Sequence, residues 1–127
     1  MIFMDNTFGD NEKLYRAVYP PSHPGLFWKK DGTISSSAFA DPRGLSVERG
    51  NYRKSEDVVK SMKKRFSGCI ISLTVHNCRE VEAILKYLPS KDNVYHSEIH
   101  GSESSILLSK SQRCHMARLA NKEYMEE

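Results

Sequence analysis

Long apolar runs are missing from this chain. None reaches the roughly 18 residues that a membrane-crossing helix needs, and the longest candidate, Gly68 to Val75, is only strand-sized. Cysteine is sparse: Cys69, Cys78 and Cys114 show no C-x-x-C spacing, and an odd number of thiols does not build a disulfide framework. Reduced, mostly buried thiols are therefore expected. There is no Walker loop, no G-x-G-x-x-G and no H-E-x-x-H, which removes the common nucleotide-hydrolase, dinucleotide-fold and metalloprotease classes. The opening MIFMDNTFGDNEK carries acidic residues and no basic segment ahead of an apolar one. No secretory leader is expected on that basis, the cytosol is the expected compartment, and no membrane partner is expected.

What is present suits one small globular domain. A chain of 127 residues, 39% hydrophobic and 28% charged, has enough apolar material for a single core. The net charge of +3 arises mostly from Lys60, Lys63, Lys64 and Arg65 and from Lys110, Arg113, Arg118 and Lys122. Neither cluster alternates with aromatics as a base-stacking platform would, so both read as solvated helix faces.

The pattern predicts an α+β fold, a twisted mixed or antiparallel sheet with two to three helices. KLYRAV, Lys13 to Val18, reads as a strand ended by Pro20 and Pro21. The loop PPSHPGLFWKKDGT follows, whose aromatic pair Phe27 and Trp28 should fold back onto the core. Ile34 to Phe39 and Leu45 to Val47 read as short strands around an Asp-Pro-x-Gly turn. Ser55 is placed as the N-cap of a helix carrying Val58, Val59, Met62 and Phe66 on one face and ending at Ser67 and Gly68. Cys69 to Val75 reads as the central, doubly buried strand. From Asn77 onward a second helix through Val81, Ile84, Leu85 and Leu88 competes with a strand over Ala83 to Leu88. Tyr95 to His100 reads as a strand, and Ser109 with Gln112 fits the capping box of a last helix. The first twelve residues and residues 121–127 are expected to be a flexible segment and a frayed helix end.

Polar chemistry concentrates in Tyr95-His96-Ser97-Glu98-Ile99-His100. On a strand His96, Glu98 and His100 share one face, so the carboxylate can orient either imidazole and raise its pKa. Their Cβ atoms, roughly 6.5 to 7 Å apart, let pairs share an ion more readily than all three, and a metal site is not expected. Arg16 is a lone guanidinium in an apolar strand and must reach solvent or an anion, whether phosphate or a carboxylate such as Asp41 or Glu98. His23 sits in a rigid Pro-rich loop. Ser35 and Ser37 lack the setting of a nucleophile elbow and suit hydrogen bonding instead. Trp28 is a candidate for ligand stacking.

Arg16 on an early strand, a serine-rich strand after it and Glu98 on a late polar strand form an order that resembles ADP-ribosyltransferase-like domains, including the RES type, between Leu14 and Glu103. In that family an Arg or His on the first strand, a Ser on a second and a late Glu surround NAD. The resemblance implies that Arg16 binds the dinucleotide phosphates, that Ser35 or Ser37 places the nicotinamide ribose, and that Glu98 or Glu103 polarises it. The chain departs from the family in lacking Arg-Gly, Glu-x-Glu and the RES-type Gly-Gly-Arg-Trp-Asn, and His-x-Glu-x-His stands in place of the usual acidic strand. LYRAVYPPSHP with DGTISSSAFADPRGLSVERG is also similar to small uncharacterised bacterial proteins, from which no activity carries over.

Three functions fit these residues. One is an enzyme acting on an NAD-like or phosphorylated small molecule, with Arg16, Ser35, Ser37, His96, Glu98 and His100 in one cleft. Another is a non-catalytic module that binds a protein or anionic ligand, exposing Trp28 and His23. The last is a ribonuclease-like protein using His96 and His100 with Arg16 as phosphate clamp.

Overall fold

The computed structural model describes residues 7–23 and 27–126, and its first strand, β1 (Lys13–Val18), divides the sheet into two faces by simple alternation. Leu14 and Val18 enter one core, Tyr15 the other. The remaining elements are a short 3-10 helix (Ser36–Phe39), β2 (Leu45–Arg49), α1 (Ser55–Lys63), β3 (Cys69–Thr74), α2 (Val75–Glu80), β4 (Ile84–Tyr87), β5 (His96–His100), α3 (Lys110–Leu119) and β6 (Asn121–Tyr124). The strands form one sheet in the order β4-β5-β2-β1-β3-β6, with every pairing antiparallel. This is an α+β domain, as expected, and among the described residues no helix is long and apolar enough to cross a membrane.

The two faces are covered unequally. On the first, Leu14, Val18, Leu45, Val47, Ile71 and Ile99 meet Ala38 and Phe39 of the 3-10 helix and Met116 of α3. On the second, Val58 and Met62 of α1 pack on Tyr15 and Ile70, with Tyr124 of β6 beside them. Because α1 spends its apolar stripe on β1, β3 and β6, it leaves the second face of β2 and β5 without a helix, and Ser46 there is exposed. That open half-face is where His96, Glu98 and His100 project, each half-buried.

Several expectations require correction. Ile34 to Phe39 is not a strand: Ile34 makes only an isolated bridge with Trp28, and Ser35 caps the 3-10 helix that follows. Ser55 does not cap α1; Lys54 occupies that position, and the Ser55 hydroxyl is drawn to Lys13 Nζ (3.0 Å) and Tyr15 Oη (2.7 Å) on the sheet. Phe66 lies beyond α1 and is 47% exposed. α2 begins earlier than Asn77, because Thr74 caps it with Asn77 in the N3 position of a capping box. It ends at Glu80, Glu82 takes φ 58°, and the chain from Ile84 becomes β4 through pairing with β5. Helical spacing of Ile84, Leu85 and Leu88 is thus overridden by strand pairing, and the strand alternative holds. β3 is doubly buried but lies next to the edge; β1 and β2 are the central pair. Residues 121–124 form edge strand β6, not a frayed helix end, and Phe8 and Glu12 of the expected flexible segment are buried. Residues 1–6 of that segment, and Pro24, Gly25 and Leu26 of the Pro-rich loop, lie outside the described residues.

The cysteines are free: Cys69 and Cys78 are buried and Cys114 is half-buried. Burial pushes the Cys78 thiol up to about 12, with the charge of Arg79 opposing, so this thiol is chemically quiet.

A buried ion pair locks the paired end of β1 and β2. Arg49 Nε donates to Glu12 Oε2 at 2.7 Å and Nη2 to Oε1 at 2.9 Å, and the two side chains are 2% and 0% exposed. The amide of Asn51 also donates to Glu12, while Phe8 lies 4.2 Å from the guanidinium carbon by its ring centroid. Removing one partner leaves the other charge buried without compensation, which costs about 3–5 kcal/mol. Arg49→Ala is expected to lose that much in urea unfolding; a loss below about 1 kcal/mol, the value of an exposed pair, would contradict a locking role.

Candidate active site

The sheet comes apart at its centre. β1 and β3 stay paired from Lys13↔Thr74 to Val18↔Cys69, whereas β1 and β2 pair only at Leu14↔Arg49 and Tyr15↔Glu48. Past those positions Arg16 spans the parted strands: Nε donates to the Ala38 carbonyl and Nη1 to the Ser46 carbonyl, each at 2.9 Å. Burial lowers the guanidinium pKa from its usual value, and the negative charge of Asp41 opposes that shift. A cavity of about 150 Å³ lies at the parting, walled by Tyr15 and Ala17 of β1, Ser46 and Glu48 of β2, and Met62 and Phe66.

On β5, paired to the far side of β2, the polar residues line up as their spacing required, although none of them walls this cavity. Ser46 is the register partner of Glu98, and Glu48 that of His96. The Glu98 carboxylate meets His100 Nε2 at 2.8 Å and lies 3.8 Å from His96 Nε2, so His100 fixes it while His96 stands further off. Its side chain is 21% exposed, enough to be reached by a ligand. Gly44, in the Asp-Pro-Arg-Gly turn, allows this packing: it holds φ 108°, and a Cβ there would overlap Oε1 of Glu98. Glu48, by contrast, is 3% exposed and tied to Arg53 (2.8 Å) and Arg65, so it anchors the sheet and α1's end.

The expected single cleft is not formed as a set. By register, Arg16 belongs to the face of Leu14 and Val47, and His96, Glu98 and His100 to the opposite one. Ser35 and Ser37 are occupied locally: Ser35 Oγ accepts from the Ser37 amide at 3.3 Å and from the Ser37 hydroxyl at 3.1 Å, capping the 3-10 helix. Trp28 packs against the core, with Nε1 donating to the Tyr19 carbonyl at 2.6 Å, so it is not an exposed stacking surface. His23 is exposed and stacks on Tyr19 with ring centroids 4.1 Å apart. Glu103 is exposed in the turn after β5. Arg16 is satisfied by carbonyls, with Asp41 contributing only through its charge. Among the described residues no group of three or more His, Cys, Asp or Glu is placed to hold a metal ion.

Ser46 was missed by sequence reasoning. Its signal is local: a polar residue between Leu45 and Val47, hence the solvent-side position of an alternating strand. A second polar cluster was also missed, because its members are distant in sequence. Asp10 meets Arg79 Nη1 at 3.0 Å and His76 Nδ1 at 2.9 Å, and Glu80 meets His115 Nε2 at 3.4 Å. The Arg79 hydrogen bond, then His76, lowers the Asp10 pKa; the His115 contact does the same for Glu80. This cluster ties the segment before β1 to α2 and α3 and lies away from the parting.

Gly44→Ala should cost about 1–3 kcal/mol for the left-handed backbone alone and separate Glu98 from His100. Unchanged stability together with unchanged His100 imidazole NMR resonances would contradict the packing described for Gly44. No protein-family model, curated protein or solved structure matches this chain.

Proposed function

We propose that this chain is a small NAD-directed enzyme of the ADP-ribosyltransferase-like kind, working at the parting of β1 and β2. One observation carries the reading: Arg16, Ser46 and Glu98 lie on three neighbouring strands, β1, β2 and β5, around the point where the central ladder stops. The resemblance asks for an Arg on a first strand, a Ser on a second and a late Glu. Ser46 meets the second requirement where Ser35 and Ser37, committed to their 3-10 cap, do not.

In this reading Glu98 accepts a hydrogen bond from the 2′-hydroxyl of the nicotinamide ribose. It thereby stabilises positive charge that develops on the sugar as the C1′–N bond breaks. Nicotinamide leaves with the bonding electron pair, and water or an acceptor side chain adds to C1′ and gives up a proton to a nearby base. His100 holds the carboxylate in place at 2.8 Å, and His96, further away, is the side chain free to take that proton. Arg16 supplies positive charge from the other side of the gap. Its fork has five N–H donors, and those not used on Ala38 and Ser46 can meet an anion entering the gap. The register places Arg16 on the face opposite His96, Glu98 and His100; the ribonuclease-like reading needs it on the same phosphate as the imidazoles, whereas here it meets the dinucleotide away from the ribose.

The test is nicotinamide release from NAD by the purified chain. Glu98→Gln keeps the side chain's size and removes its charge, and should lower the rate by about a hundredfold or more. A Glu98→Gln protein as fast as wild type, or a wild type that releases no nicotinamide with either water or added protein acceptors, would sink the proposal.

A further inference from the structure

We infer that the groove at the open end of the parting seats the adenosine diphosphate half of the dinucleotide, with Arg43 as phosphate clamp and Phe66 as stacking surface; this rests on the reading above. The groove measures about 770 Å³, against about 150 Å³ for the cavity at the parting, and both are walled by Arg16, Ala17 and Phe66. The two are therefore neighbours across these three side chains. A ligand that fills both has a small group beside Ser46, the register partner of Glu98, and a much bulkier one outside, which are the proportions of a nicotinamide ring and an adenosine diphosphate.

The chemistry of the walls agrees. Arg16, Arg43 and Arg65 converge there from β1, the Asp-Pro-Arg-Gly turn and the segment after α1, and the one carboxylate in the lining is that of Asp41. Arg43 is 90% exposed, and its 3.7 Å pair with Asp41 is long, so little opposes its turning onto a phosphate. Arg65 is anchored on Glu48 and only 32% exposed, which fixes a second positive charge in the wall. Phe66 is 47% and Tyr19 54% exposed at the rim, and Tyr19 already stacks on His23. Arginine forks with exposed rings suit a ligand that combines phosphates with a flat base. No segment of the sequence shows this grouping, because its members are brought together only by the fold.

The experiment measures ADP-ribose binding by calorimetry for wild type, Arg43→Gln and Phe66→Ala, alongside nicotinamide release from NAD by the same proteins. Arg43 is largely exposed and Phe66 about half exposed, and circular dichroism and thermal melts verify folding. Each variant is expected to bind ADP-ribose about tenfold more weakly and to raise KM for NAD by a similar factor, with kcat unchanged for Arg43→Gln, which lies outside the inner cavity. If wild type cleaves NAD and both variants bind ADP-ribose as it does, the groove assignment is overturned while the enzymatic reading stands. If wild type cleaves no NAD yet binds ADP-ribose, and both variants lose that binding, the groove stands and the enzymatic reading falls. Wild type that does neither overturns both.

Discussion

A sheet that stops pairing in its middle releases backbone acceptors that some other group must satisfy. Here that group is the Arg16 guanidinium, which takes the Ser46 carbonyl and so spans β1 and β2 where their ladder has ended, while its Nε holds the Ala38 carbonyl of the 3-10 helix. At the other end of the same strand pair, Arg49 and Glu12 form a buried two-point ion pair beside the Leu14↔Arg49 step. One end is locked and the other is held apart. From this opening follow the cavity at the parting and the exposed Ser46, and the outer groove beside the Asp-Pro-Arg-Gly turn shares Arg16, Ala17 and Phe66 with that cavity.

The carboxylates beside this opening divide by what surrounds them. Glu48 sits among Arg53, Arg65 and Asn93 and is nearly inaccessible, so its charge is spent on holding α1 and the following turn to the sheet. Glu98, one strand over, faces two imidazoles and a glycine and keeps part of its surface open. A charge fixed by two guanidinium groups has little left for a ligand, whereas one oriented by a single 2.8 Å contact is both positioned and reachable. This difference in partners is what singles out Glu98, and with it the proposed chemistry, among the acids of the sheet.

Local patterns made much of the fold legible. KLYRAV and the Ser109 to Gln112 capping box were readable because a strand alternation and a helix cap are short-range effects, and the common face of His96, Glu98 and His100 followed from the same period of two. Where reading failed, a distant partner had decided the outcome. Ile84 to Tyr87 became a strand because β5 was available to pair with it, and Ser55 gave up its cap because Lys13 and Tyr15 offered its hydroxyl other partners. Arg16 stood out as a lone guanidinium in its strand, but its grouping with Arg43, Arg65 and Phe66 was illegible for the same reason: it depends on strand order and on a ladder that ends early, and neither leaves a trace in any one segment. Ser46 is the exception, since its alternation with Leu45 and Val47 was visible and simply outweighed by the more conspicuous run from Ser35 to Ser37.

The most direct measurement of the central claim, that a dinucleotide enters where β1 and β2 part, is a backbone amide NMR titration with NAD. The account predicts that the resonances of Ala17, Ser46, Val47 and Glu98 move together and saturate at one concentration, while those of α2 and α3 stay in place. No change on addition of NAD, or changes confined to the Asp10, His76 and His115 cluster, would contradict it.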